Sequence, residues 1–89
     1  MIEKEILIKN RLGLHARAAV KFVNLANRYS AAVKIVRSGV EIDGKSILGI
    51  LTLAATQGTT ITLKLSGKDE EDACQALLEL IKNKFGEKE

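Results

Sequence analysis

His15 is the only histidine among 89 residues, and it stands between the Gly13-Leu14 step and a helical run that begins at Ala16. Arg17 follows two positions later. The first turn of a helix leaves backbone N–H groups unpaired and carries roughly half a positive charge. Such a place holds anions, phosphate above all. A neutral imidazole is also a nucleophile near neutral pH. A phosphoryl group taken onto the His15 ring would lie beside the backbone N–H groups of Ala16, Arg17 and Ala18. The planar fork of Arg17 can bond two of its oxygens. Each contact between an anion and the helix dipole is worth about 0.3–1 kcal/mol, enough to moderate the charge without trapping the group. The pattern therefore points to reversible phosphoryl storage. No G-x-x-x-x-G-K-[ST] run is present, so nothing marks a nucleotide site of that kind, and the phosphoryl group would come from another protein. On these residues alone a plainer reading stays open: a lone histidine at a loop–helix junction is more often a cap or a surface group.

The elements that must position His15 follow from periodicity. Glu3 to Ile8 reads as a strand, with Ile2, Ile6 and Ile8 in one phase and Leu7 in the other. Asn10 to Leu14 is a loop. Ala16 to Arg28 shows the helical period, with Ala19, Phe22, Val23, Ala26 and Tyr29 as its apolar stripe. Ala32 to Arg37 and Val40 to Ile42 read as two strands joined by a Ser38-Gly39 turn. Ser46 can cap a short helix from Ile47 to about Leu53. Thr60 to Ser66 is the cleanest alternation, with Ile61, Leu63 and Leu65 facing inward. Asp69 is a candidate N-cap for a last helix that runs to about Lys84, with Gly86 as its stop. Alternation of this kind gives a sheet with one wet face, so the helices belong on the other: a two-layer α+β sandwich.

Length and composition bound the rest. The chain is one domain, 1–89, with no Pro or Trp, one Cys and 46% hydrophobic residues. Cys74 has no partner for a disulfide and reads as a small core residue. A core this small leaves no room for a deep substrate cavity. No run of apolar residues is long enough to span a membrane, and the start does not read as a signal peptide, so a reducing, cytoplasmic setting without membrane insertion is expected. One His and one Cys far apart cannot make a zinc site, and no metal or cofactor is expected. Net charge is +3, unevenly spread: +4 over residues 1–30, +1 over 31–60 and −2 over 61–89. A basic first third suits an acidic partner surface or a phosphate. Scarce aromatics and the acidic run Asp69 to Asp72 weigh against nucleic-acid binding.

The run Asn10-Arg11-Leu12-Gly13-Leu14-His15-Ala16-Arg17 resembles the active-site signature of the HPr family, the histidine-containing phosphocarriers of the bacterial sugar phosphotransferase system. Lys45-Ser46-Ile47-Leu48-Gly49 resembles the family's second signature. Gln57-Gly58-Thr59 and Gly67 to Ala73 match later landmarks, so the resemblance covers the whole chain. It implies an open-faced β-sandwich of β-α-β-β-α-β-α order, with an antiparallel sheet in the order 1-4-2-3 and three helices on one face. It implies that His15 accepts a phosphoryl group on Nδ1 from phosphorylated Enzyme I and passes it to sugar-specific EIIA domains. Arg17 would be the phosphate-side partner. A carrier of this type has no independent turnover and is expected to be a monomer. One residue departs from the pattern: Ala18 stands where the family usually has Pro, which restores a backbone N–H in the first helical turn.

Ile47, Leu48, Ile50 and Leu51 make a short helix that is apolar nearly all round. One side must face the core, and the other leaves an exposed patch of the kind that often marks a binding surface. The resemblance makes Arg17, Lys21, Ile47, Leu48 and Leu51 the contacts for Enzyme I and EIIA in turn. Ser46 as a plain cap needs no further function. The resemblance also matches it to a regulatory serine, which implies an HPr kinase/phosphorylase and a carbon-catabolite regulator as further partners. A charge of about −1.5 to −2 at a helix start is tolerated by the dipole, so weaker docking rather than unfolding is expected. The alternative is a regulatory or nitrogen-related paralogue that acts mainly through protein–protein contacts. The presence of His15 speaks against a purely regulatory relative that lacks it.

Overall fold

A computed structural model describes residues 1–89. The order is β1 (Ile2–Leu7), α1 (Ala16–Ala26), β2 (Ala32–Arg37), β3 (Val40–Asp43), α2 (Ile47–Leu53), β4 (Thr60–Ser66) and α3 (Glu70–Lys82), with a single 3-10 turn at Lys84–Gly86. The four strands form one antiparallel sheet in the order β1-β4-β2-β3. The three helices cover one face of this open sandwich. The α+β class and the helices on one face are those expected from the alternation, and the strand order is the one the family resemblance implies.

The period-two alternation decides which face is covered. Val33, Ile35, Ile61, Leu63 and Leu65 are buried beneath the helices, and Ile2 and Ile6 pack at the edge of the same core. Leu7, in the opposite phase, is 45% exposed. From the helical side come Ala18, Ala19, Phe22, Val23 and Ala26 of α1, Ile50 and Leu53 of α2, and Ala73, Cys74, Leu77 and Ile81 of α3. Each large side chain taken fully out of water contributes about 1.5–3 kcal/mol. Ser38 and Gly39 both take positive φ, 51° and 82°, as a two-residue hairpin turn matched to strand twist requires.

Three details differ from expectation. The first helix ends at Ala26 rather than Arg28, because Arg28 and Tyr29 donate to the carbonyls three residues back and tighten the last turn. Asp69 stands at the N-cap position of α3 but makes no capping bond. Its carboxylate instead accepts from the backbone N–H of Ser30 at 2.9 Å and of Ala31 at 2.8 Å, and so fixes the entry to β2. Glu70 takes over at the helix start and accepts from the Gly67 N–H at 3.1 Å.

The third difference lies in the segment after the last helix. The last helix ends at Lys82, and Gly86 does not release the chain into solvent. Lys84 and Phe85 both take positive φ, 54° and 56°, and turn the chain back. Phe85 is fully buried. Its ring belongs to the same core as Phe22, which pins the following residues over the start of α1.

Candidate active site

Asn10 to His15 form a tight loop that leads into α1. Gly13 has φ +65°, and a Cβ there would lie 2.4 Å from the Ala55 carbonyl oxygen. Glycine is required on both counts. The Leu14 N–H donates to that same carbonyl at 2.9 Å, so the loop is clamped to the segment after α2. This clamp sets the point at which the helix begins.

His15 is the N-cap residue of α1, with extended backbone (φ −76°, ψ 177°) and no side-chain capping bond. Its ring is therefore free of the helix terminus, and its side chain is 23% exposed. Nε2 pairs with Glu87 Oε2, a residue 72 positions away in the sequence. Nδ1 has no hydrogen-bond partner. Glu87 is held from its other oxygen by Asn10, whose Nδ2 donates to Glu87 Oε1 at 3.0 Å and to the Gly13 carbonyl at 2.8 Å. Burial alone would push the Glu87 carboxyl up. The hydrogen bonds from Asn10 and His15, with the nearby charges of His15 and Lys21, outweigh it and hold the group below its ordinary range.

Arg17 projects into solvent without a partner. It lines a shallow open cavity of about 330 Å³ with Arg11, Leu12, Glu87, Lys88 and Glu89. Arg11 is tied to the tail by its backbone N–H to the Glu89 carbonyl at 2.8 Å and by its guanidinium to the Glu89 carboxylate at 2.9 Å. Arg17 and Lys88 are thus left as the cations of this cavity that no carboxylate pairs. Ala16, Arg17 and Ala18 fill the first turn of α1, where backbone N–H groups lack intrahelical acceptors.

Lys21 is not left free in the same way. Its Nζ donates to the Phe85 carbonyl at 2.6 Å. On α2, Ser46 Oγ accepts from the Gly49 N–H at 3.0 Å, the capping bond expected for it. Leu48 is 76% exposed and Ile47 37%, while Leu51 is half-buried. Helix α1 packs against α2 and carries an exposed apolar residue of its own, Val20.

Sequence reasoning missed Asn10, Phe85 and Glu87. Phe85 carried a usable signal: a large aromatic placed directly after the last helix needs a place to be buried. Nothing in the sequence tied Glu87 to His15, because that contact depends on the backward turn at Lys84 and Phe85.

Comparison with known proteins decides the family. Residues 2–83 match the family described as PTS-HPr, PTS HPr component phosphorylation site. The chain belongs to the HPr family of the phosphotransferase system. It is 48% identical to phosphocarrier protein HPr of Cupriavidus necator over 89 residues, all of both chains. It is 50% identical to phosphocarrier protein HPr of Pseudomonas aeruginosa over 86 residues, 96% of each. The crystal structure of HPr-C-His from Thermoanaerobacter tengcongensis superimposes over the full length of both chains, with a TM-score of 0.96 and 43% identity. The protein is a phosphoryl carrier that works through a phosphohistidine. No helix is long and apolar enough to cross a membrane.

Proposed function

We propose that His15 is the residue that carries the phosphoryl group, that it does so on Nδ1, and that phosphorylated Enzyme I supplies the group and EIIA domains receive it. The chain has one histidine, which leaves a phosphohistidine carrier one candidate. The observation that carries the assignment to Nδ1 is the pairing of Nε2 with Glu87, which leaves Nδ1 as the unpartnered nitrogen of a part-exposed ring. The free guanidinium of Arg17 and the N–H groups of Ala16, Arg17 and Ala18 supply the positive environment for the incoming oxygens. The exposed Ile47 and Leu48, with Leu51 behind them and Arg17 at the edge, form the docking surface that the two partners use in turn. Lys21 contributes mainly by holding the tail.

Ser46 is proposed as a regulatory phosphorylation site, open to an HPr kinase/phosphorylase, whose product a carbon-catabolite regulator would read. The carrier acts as a monomer in the cytoplasm. Incubation with phosphoenolpyruvate and Enzyme I tests the central assignment. Wild type acquires an acid-labile, base-stable phosphoryl group and His15→Ala acquires none. Labelling of His15→Ala would overturn it.

A further inference from the structure

The paired contacts of Glu87 carry an inference that rests on the reading of His15 as the phosphoryl acceptor. Asn10 is fully buried, and its Oδ1 has no hydrogen-bond partner. Leaving a buried acceptor unpaired is costly. The orientation of the amide is nevertheless determined. Both hydrogens of Nδ2 meet oxygen acceptors, the Gly13 carbonyl and Glu87 Oε1, and a flipped amide would turn its oxygen toward both. The interior thus tolerates one orphaned oxygen so that the Asn10 NH₂ faces the loop before His15 and the carboxylate that touches His15. A buried amide, a carboxylate and an imidazole in series resemble the arrangement by which proteins fix a histidine's tautomer and orientation.

The tail has independent anchors. Phe85 is buried, Lys21 holds its carbonyl, and the Arg11 backbone binds the Glu89 carbonyl at 2.8 Å. Glu87 therefore need not hold the segment in place itself.

We infer that Glu87, aimed by Asn10, is a positioning residue for phosphoryl transfer: it accepts the Nε2–H of neutral His15, which leaves the lone pair on Nδ1. In the transfer step that lone pair forms the Nδ1–P bond. The bond from phosphorus to the donor breaks, and its electron pair stays on the donor atom. No proton has to leave Nδ1. The ring gains positive charge as the bond forms, and the Glu87 carboxylate at Nε2 stabilises that charge while Nε2 keeps its proton. The return step, to an acceptor nucleophile, reverses the same changes.

The test compares wild type, Glu87→Gln and Glu87→Ala as substrates of Enzyme I, together with the ring ¹⁵N shifts of His15 in the neutral form. Glu87→Ala is expected to lower kcat about tenfold, in line with the loss of a group that orients a functional histidine, with little change in KM. Its ¹⁵N shifts move toward a larger share of the Nδ1–H tautomer. Glu87→Gln keeps an acceptor oxygen but no charge, and its kcat falls between the two. A Glu87→Ala kcat within twofold of wild type, or above it, overturns the inference. So does a loss confined to KM, or unchanged ring shifts. If wild type itself takes no phosphoryl group on His15, the assignment of the carrier residue fails instead, which separates the two ideas.

Discussion

Lys21 donates from Nζ to the carbonyl oxygen of Phe85 at 2.6 Å, and this bond joins the exposed face of α1 to the buried turn that follows α3. A residue expected to face partners is thereby engaged in holding the segment that brings Glu87 to His15. The candidate site around His15 is built from both ends of the chain.

Phe85 is the anchor of that arrangement. Phe85→Ala removes a fully buried ring and is expected to cost about 3–5 kcal/mol in urea unfolding. It should also slow phosphorylation by Enzyme I, because the tail that carries Glu87 loses its buried anchor and keeps only the Lys21 and Arg11 contacts. A loss of stability below about 1 kcal/mol would show that the ring is not packed as described.

Ser46 caps α2 through its hydroxyl. Ser46→Ala should cost about 1 kcal/mol in thermal unfolding, whereas Ser46→Asp, which also caps, should stay close to wild type. The added charge beside Ile47 and Leu48 is expected to slow transfer from Enzyme I all the same. Transfer as fast as in wild type would remove the regulatory reading of Ser46 and leave a cap.

Gly13→Ala tests the loop clamp. The new methyl would meet the Ala55 carbonyl at 2.4 Å, at a backbone angle of +65° that alanine rarely adopts. A loss of at least about 2 kcal/mol is expected, because neither backbone segment can yield easily. A neutral outcome would mean that the Asn10–His15 loop can be remodelled without harm.

Asp69 gives a pH prediction. The Ser30 N–H does most to hold its carboxyl below the ordinary value of 3.8; burial opposes this, and the Ala31 N–H adds to it. The unfolded chain therefore takes up the proton at a higher pH than the folded one. The Asp69 contribution is fully present above the ordinary value and is lost as pH falls through the lower folded value. Asp69→Asn should flatten the stability profile in that acid range and leave its shape near neutrality unchanged. An unaltered acid slope would count against the Ser30 and Ala31 contacts.

Much of this was legible in the sequence. The alternation in Thr60 to Ser66 and the stripe of α1 specify faces directly, because one-residue slips would invert them. The position of His15 at the start of α1 and of Arg17 in its first turn was legible from the helical period, while residue type alone left a plain cap or surface group as open as a phosphate site. The capping role of Ser46 was equally local. Phe85 signalled its burial by its size, but the roles of Asn10 and Glu87 were not legible, since they depend on two positive-φ residues, Lys84 and Phe85, that no turn signature marks. Asp69 misled for a related reason: a carboxylate at a helix start is a cap by local rules, yet here two backbone N–H groups from another segment claim it.

The most direct measurement of the central claim is a long-range ¹H–¹⁵N correlation spectrum of the protein after phosphorylation by Enzyme I. It identifies which ring nitrogen of His15 carries phosphorus. The account predicts Nδ1, with Nε2 still facing Glu87. Phosphorus on Nε2 would contradict it.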